Sequence, residues 1–136
     1  MVLLMMSIDN YIEKSFIPIK AHDTLENVIY NAVSKSSRNS FPVINEEGKL
    51  IGILKLDDIR SVMFDTSYYS KQVLEYMKPI TEAIVYEKDG MKKVLRKFQD
   101  TSEWTLPVIR DGAYFGFVSK SKLLSAYRRK LINYTR

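Results

Sequence analysis

The sequence contains no cysteine and only one histidine, His22, among its 136 residues. Without cysteine the chain can form neither a disulfide nor a thiolate metal site, which agrees with a reducing compartment. A single histidine excludes most histidine-based metal sites and catalytic triads. Its place near a predicted helix start favours a surface or capping role. We therefore expect no metal site.

Long hydrophobic runs are also lacking. The apolar start "MVLLMM" is only six residues long before Ser7, too short to span a bilayer, and it lacks the basic region and cleavage site of a secretory signal. We interpret it as a strand or as the cut edge of a longer protein, and we expect the chain by itself to be soluble. With 46% hydrophobic residues, a chain of this length can form one compact module.

The net charge of +5 is concentrated at the C-terminus. Residues 120–136 contain no acidic residue, whereas the rest of the chain has fifteen basic and sixteen acidic residues. A basic last helix is stabilised by the negative end of its own dipole, and this explanation outweighs a nucleic-acid footprint. We expect no nucleic-acid partner. A DNA- or RNA-binding module would instead show salt-dependent retardation of nucleic acid. The six basic residues are Lys120, Lys122, Arg128, Arg129, Lys130 and Arg136.

The chain repeats itself. "SFPVINEEGKLIGILKLDDI" (40–59) aligns with "TLPVIRDGAYFGFVSKSKLL" (105–124), and the lead-ins "IDNYI" and "VLEYM" also match in pattern. We predict one repeat over residues 1–66, including an N-terminal lead-in. The other covers residues 67–136, comprising a linker, the second copy and the basic C-terminal helix.

Each copy has the pattern β-α-β-β-α. In the first copy, "FIPI", "FPVIN" and "KLIGIL" predict strands, and Asp23 with Glu26 predicts an acidic capping box that opens a helix. A helix from Leu56 to Met63 closes the copy. In the second copy, strands are predicted at "EAIVY", "TLPVI" and "AYFGFV". A helix is predicted after the first of these strands and another after the third. Two small sheets with one exposed face each predict an α+β fold, with the repeats packed in pseudo-twofold fashion.

These features resemble a tandem pair of CBS domains, the modules named after cystathionine β-synthase, over nearly the whole chain. More narrowly, "FPVINEEGKLIGILKLDDIRSVMFD" and "GFVSKSKLLSAYRRKLI" resemble the cytoplasmic C-terminal pair of prokaryotic ClC-type chloride channels and chloride/proton antiporters. The resemblance implies a non-catalytic regulatory module at the inner face of the membrane, attached to a transporter domain and dimeric. The alternative is a free-standing nucleotide sensor that regulates an unrelated partner.

CBS pairs that bind adenine nucleotides carry G-h-h-[ST]-x-x-[DN], in which the hydroxyl and helix N-terminus meet a phosphate and the acid takes the ribose hydroxyls. This chain divides that signature between its repeats: the first keeps the acid, Asp58, with Lys55 in place of the hydroxyl, whereas the second keeps Ser119 but has Lys122 in place of the acid. No cofactor is required, and the resemblance implies ATP, ADP or AMP as the ligand.

The resemblance predicts two inter-repeat clefts. The first combines Lys55 and Asp58 with Glu103, Trp104, Thr105 and Leu106, where Trp104 stacks on a purine. The weaker second cleft combines Ser119 and Lys122 with Arg38, Asn39, Ser40 and Phe41.

The residues also support simpler interpretations. Trp104 can be a core residue, Asp58 a first-turn acid that stabilises its helix, and the second cleft a solvated surface. Asp57 and Asp58 point about 100° apart on a helix and have no histidine nearby, so an enzyme is not expected.

Overall fold

The computed structural model describes residues 6–135, which fold into two compact units. The first unit consists of residues 15–80, and the second unit joins residues 6–14 to residues 81–135. Of the apolar start, only Met6 belongs to the described residues, so the predictions for residues 1–5 lie outside them.

The first unit has a four-stranded sheet in the order β2-β3-β4-β5. Strands β2 and β3 are parallel and joined across helix α1, whereas β3–β4 and β4–β5 are antiparallel. Its elements are β2 (Ile19–Lys20), α1 (Leu25–Asn31), β3 (Ser40–Ile44), β4 (Leu50–Lys55), α2 (Leu56–Ile59) and β5 (Lys78–Pro79).

The second unit repeats this arrangement in the order β1-β8-β7-β6. Strands β6 and β7 are parallel, and β8 pairs antiparallel with both β7 and β1. Its elements are β1 (Ile12–Glu13), β6 (Ile84–Val85), α3 (Met91–Thr101), β7 (Thr105–Arg110), β8 (Ala113–Ser119) and α4 (Lys120–Thr135). The predicted α+β class, with two sheets and four helices, is confirmed.

Each sheet has one strand more than the repeat pattern predicts. The lead-in "IDNYI" forms a 3₁₀ turn (Ile8–Tyr11) and strand β1, which completes the sheet of the second unit. The matching lead-in "VLEYM" begins with a 3₁₀ turn (Val73–Glu75) and leads to β5, which completes the sheet of the first unit. Each edge strand thus comes from the segment that precedes the other repeat in sequence. The predicted repeat boundary at residues 66 and 67 stays a prediction.

Two glycines allow these edge strands to approach closely. A Cβ atom added at Gly116 would lie 2.7 Å from the carbonyl oxygen of Glu13 in β1. A Cβ atom added at Gly52 would lie 2.9 Å from the carbonyl oxygen of Lys78 in β5. Both distances are shorter than real Cβ contacts, so the glycine at this repeated position reflects a packing requirement in each sheet.

Each unit has its own hydrophobic core between its sheet and its helices. In the first unit α1 buries Leu25 and Val28, and Ala32 is buried just after it. In the second unit α3 buries Met91, Val94 and Phe98. Burial of these apolar side chains supplies the main favourable term for each unit.

A buried ion cluster fixes the turn between β6 and α3. The Asp89 side chain is 1% exposed, and its Oδ2 accepts hydrogen bonds from the Val85 N–H (2.8 Å) and the Lys97 ammonium (2.7 Å). The Lys97 ammonium also donates to the carbonyl of Ala83 at 2.8 Å, and Lys93 Nζ lies 3.3 Å from Asp89 Oδ1. Burial raises the pKa of the Asp89 carboxyl, but the hydrogen bonds from Lys97, Val85 and Lys93 outweigh it and hold the pKa below its usual value.

Two local predictions are wrong. Thr24, not Asp23, caps α1: its Oγ1 accepts the Asn27 N–H at 3.2 Å, whereas Asp23 Oδ2 accepts the Lys20 N–H. Helix α2 ends at Ile59 instead of Met63, and the chain continues as turns. Both differences are local, and neither changes the order of the elements in the repeat.

Replacing Thr24 by alanine is expected to lower the free energy of unfolding by about 1 kcal/mol, because the Asn27 N–H loses its acceptor. Urea denaturation measures this change. Thr81→Ala, at an exposed threonine, is the matched control and is expected to change stability by less than about 0.5 kcal/mol. Equal effects of the two substitutions would contradict the capping role.

Candidate functional site

The first unit brings together Lys55 and Asp58 with the segment that precedes β3. Ser40 pairs with Lys55 and Phe41 with Leu54 in the β3–β4 ladder, and the Leu56 N–H donates to the Asn39 carbonyl at 2.8 Å. Strand β4 therefore delivers Lys55 and Asp58 to the end of the sheet where β3 begins.

Asp58 is the most unusual side chain of this group. Its side chain is 23% exposed, and its Oδ1 lies 3.4 Å from Lys78 Nζ in β5. Its Oδ2 is buried and has no hydrogen-bond partner among residues 6–135. A buried carboxylate oxygen without a hydrogen-bond donor is unfavourable. We therefore expect a water molecule or a ligand hydroxyl to donate a hydrogen bond to Asp58 Oδ2.

Asp57, unlike Asp58, is largely exposed to solvent. Its side chain is 83% exposed and forms an i,i+3 ion pair with Arg60 at 2.7 Å. It therefore acts as a solvated helix-start charge and provides a natural control for its neighbour Asp58.

The second unit brings Trp104 and Thr105 next to the start of α4. Thr105 pairs with Ser119 across β7 and β8, and the Lys120 N–H donates to the Trp104 carbonyl at 2.8 Å. The Trp104 residue is 68% exposed, and the Lys120 ammonium lies 5.2 Å from the centre of its ring, a cation–π contact. The interpretation of Trp104 as a core residue is wrong. Glu103 lies in the turn before β7, where its N–H contacts Thr101 Oγ1 at 3.4 Å.

Ser119 and Lys122 are engaged within the second unit. Ser119 Oγ lies 3.1 Å from Ser121 Oγ and 3.4 Å from the Lys122 N–H. The Lys122 ammonium is bound to the carboxylate of Glu13 in β1. A lysine at the position of the ribose acid thus holds the N-terminal edge strand.

Arg38 is likewise engaged within the first unit. Its Nη2 donates to Ser15 Oγ at 2.6 Å, and its guanidinium stacks 4.4 Å from the centre of the Phe16 ring. The side chains of Phe41 and Leu106, 0% and 1% exposed, belong to the cores of their respective units.

Sequence reasoning did not find the partners of the predicted residues. Lys78, Lys120 and Glu13 contact Asp58, Trp104 and Lys122, respectively. Only Lys120 is close in sequence to a predicted site. The other two lie in two-residue strands, which are too short for a periodic signal.

In the described part of the chain, no three or more histidine or acidic side chains are grouped to hold a metal ion. Among residues 6–135, no helix combines the length and the apolar character that a membrane crossing requires.

One part of the chain matches a known family model. Residues 8–65 match the family model of the CBS domain. Curated proteins give no sequence match.

Solved structures extend this likeness over both units. Protein MJ1004 from Methanocaldococcus jannaschii has a TM-score of 0.74 and 27% identity, covering 91% of this chain and 60% of that chain. The matched part of this chain therefore spans less than two-thirds of the length of that protein.

Two further structures have a similar fold. CbpB in complex with c-di-AMP has a TM-score of 0.74 and 21% identity over 97% of this chain and 91% of that one. The CBS domain of a CBS domain containing membrane protein from Sphaerobacter thermophilus has a TM-score of 0.70 and 18% identity, covering 88% and 86%. The fold is that of CBS-pair structures.

Proposed function

We propose that the chain is a non-catalytic regulatory CBS pair that binds an adenine nucleotide through Asp58 of the first predicted cleft. The observation that carries this proposal is the buried Oδ2 of Asp58, which has no hydrogen-bond partner among the described residues. Asp58 stands where nucleotide-binding relatives place the acid that accepts the ribose hydroxyls. The structure of CbpB with c-di-AMP supports an adenine nucleotide as the ligand class.

The chemistry of Asp58 suits a ligand that carries hydroxyl groups. Its Oδ1 is 3.4 Å from Lys78, so the carboxylate keeps a charge partner while Oδ2 has none. Hydrogen bonds from neutral hydroxyls to a charged acceptor contribute about 1.5–3 kcal/mol each. A ribose would therefore relieve an unfavourable burial and gain affinity from the same contact.

Trp104 offers the second element of the proposed site. Its ring is exposed, and Lys120 lies over it at 5.2 Å. An exposed indole can stack on a purine, and stacking on aromatic side chains contributes about 1–3 kcal/mol per base. Lys55 would supply a charge for a phosphate in place of the missing hydroxyl.

The second predicted cleft has weaker support. Arg38 contacts Ser15 and Phe16, and Lys122 is bound to Glu13. Both cations of the second cleft therefore already have partners within their own units. We therefore place the nucleotide in the first cleft.

Isothermal titration with ATP, ADP, AMP and c-di-AMP tests this proposal. We expect measurable heat with at least one of these nucleotides. Asp58→Asn is expected to weaken that binding by about 10-fold or more, because a 1.4 kcal/mol loss is a factor of 10 and a charged acceptor contributes at least that much.

Asp57→Asn is the matched control. It removes the same charge one residue away, from a side chain that is 83% exposed and paired with Arg60. We expect it to change affinity by less than about 2-fold, as for other exposed charges. The absence of heat with all four nucleotides at millimolar concentration, or equal effects of D57N and D58N, would show the proposal to be wrong.

We further propose that the module is a homodimer and that it belongs to a ClC-type chloride channel or chloride/proton antiporter, at the inner face of its membrane. The sequence resemblance supports this assignment, and one structural neighbour is part of a membrane protein. A free-standing sensor that regulates an unrelated partner fits the fold equally well. An open reading frame that continues upstream into ten or more apolar segments would favour the transporter, whereas a stop codon directly upstream would favour the sensor.

A further inference from the structure

A cavity of about 320 Å³ lies on the second unit beside α4. It is lined by residues of α4 and of the N-terminal 3₁₀ turn, all within one unit: Tyr11, Ser121, Lys122, Ser125 and Arg129. Three of these, Ser121, Ser125 and Arg129, follow one another at i,i+4 spacing and therefore share one face of the helix.

The lining of this cavity is cationic and rich in hydrogen-bond donors. It contains two basic side chains and three hydroxyl groups, and no acidic residue lines it. Helix α4 contains five basic residues and no acidic one, so no carboxylate on the helix neutralises the cavity. Arg129 is exposed, lines the cavity and has no ion pair among residues 6–135.

We propose that this cavity binds a phosphate or diphosphate group. A guanidinium matches two phosphate oxygens with its fork of N–H donors, a lysine adds a compact charge, and serine and tyrosine hydroxyls donate to the remaining oxygens. All three kinds of donor meet here in a space that is large enough for a diphosphate. This site lies within the second unit, and of its residues only Lys122 is also predicted for a nucleotide cleft, the second one.

Lys122 connects this site to the N-terminal segment. Its ammonium is bound to Glu13, the last residue of β1, and Tyr11 lies just before that strand. An anion in the cavity competes with Glu13 for the same ammonium. By linkage, whatever weakens the Glu13–Lys122 pair strengthens anion binding, and the anion in turn loosens the attachment of β1.

Titration of the full chain with inorganic pyrophosphate tests this proposal. We expect measurable binding at low salt that weakens about 10-fold or more in Arg129→Gln. Arg128→Gln is the matched control, because it removes the same charge from the neighbouring exposed arginine, which does not line the cavity. We expect R128Q to change affinity by less than about 3-fold when the titration is repeated at about 0.15 M salt, where charges more than about 8 Å from the bound anion are largely screened. Equal losses in the two variants would show a diffuse charge effect and would overturn the site.

Competition between Glu13 and the anion for Lys122 predicts a separate change in pyrophosphate affinity. Glu13→Gln is expected to raise pyrophosphate affinity about 3-fold or more, because the competing carboxylate is gone. The proposal would be overturned if the unmodified chain, at millimolar concentration, bound no pyrophosphate at a 10-fold excess of pyrophosphate over protein. Asp58→Asn is expected to leave pyrophosphate affinity unchanged, so failure here and failure of the nucleotide cleft are distinguishable.

The phosphate group can come from a soluble molecule or from a lipid headgroup. Sedimentation with vesicles that contain phosphatidylglycerol separates the two sources. Retention on vesicles that is lost in R129Q and kept in R128Q would assign a lipid headgroup. Binding of pyrophosphate without such retention would assign a soluble phosphate, and both results support the site.

Discussion

Replacing Asp89 by alanine is expected to lower the free energy of unfolding by about 3–5 kcal/mol, the range found when one partner of a buried ion pair is removed. The side chains of Asp89 and Lys97 are 1% and 14% exposed. Without the carboxylate, the Lys97 ammonium would stay largely buried with only the Ala83 carbonyl and the more distant Glu82 carboxylate as partners. The Val85 N–H would also lose its acceptor. Urea denaturation monitored by circular dichroism measures this loss.

Asp100→Ala is the matched control for this prediction. Asp100 lies on the same helix, α3, and is exposed. Its removal is expected to change stability by less than about 0.5 kcal/mol. A small effect of D89A, comparable to that of D100A, would mean that the cluster does not hold the β6–α3 turn.

The same cluster predicts an acid-sensitive stability. Because the pKa of Asp89 is lowered in the folded chain, its contribution is complete above the unfolded-state pKa of an aspartate, about 3.9, and is lost as the pH falls through the lower folded value. The difference in unfolding free energy between the unmodified chain and D89A should therefore shrink below about pH 4. A difference that stays constant down to pH 2 would contradict this assignment.

Replacing Gly116 by alanine is expected to destabilise the chain by about 1–3 kcal/mol, the usual cost of overpacking. The new Cβ would lie 2.7 Å from both the Glu13 carbonyl oxygen and Ile12 Cγ2, and a backbone atom cannot move aside as a flexible side chain can. We expect β1 to separate from β8. Hydrogen exchange of the Ile12 and Val118 amides, which lie opposite each other in the ladder, should then accelerate.

Gly90→Ala serves as the comparison for this substitution. An added Cβ at Gly90 meets nothing within 4 Å, so only its place as the N-cap of α3 is disturbed. We expect a loss below about 1 kcal/mol and no change in exchange at Ile12. If G116A and G90A had the same effect on exchange at β1, the close approach would not be what holds this strand.

The repeated sequence pattern predicted the main elements well. "SFPVI" and "TLPVIR" form β3 and β7, and the apolar stripes of α1 and α3 are buried, because both signals reflect burial of one face. The two-residue strands β1 and β5 were missed, whereas the equally short β2 and β6 lie at or beside the predicted strands "FIPI" and "EAIVY". The residues of β1 and β5, Ile-Glu and Lys-Pro, belong to no run of β-branched residues that would predict a strand. Gly52 and Gly116 lie where β5 and β1 pack against their sheets. The sequence around a glycine does not show which strand packs against it, because that depends on the fold.

The candidate site was predictable in part. The signature follows each glycine strand: in the structure Lys55 ends β4, Asp58 lies in the helix α2 that follows it, and Ser119 ends β8. The ion pairs of Asp58 and Lys122 join residues far apart in the chain, so local patterns carried no information on them. Exposure of Trp104 was also beyond local reasoning, because an isolated tryptophan in a short turn has no apolar period to place it.

The order of synthesis gives the edge strands a further consequence. Every strand of the first unit lies within residues 15–80, so its sheet can form as soon as that stretch has left the ribosome. Strand β1 is made earlier but must wait for β8, near the end of the chain, and until then Met6 and Ile8 lack their core. Such non-local pairing is slow to form and leaves apolar surface open in the meantime. Residues 6–14 are therefore made before the rest of the described residues but are among the last of them to be protected. Chaperone dependence or aggregation during synthesis should concentrate on residues 6–14.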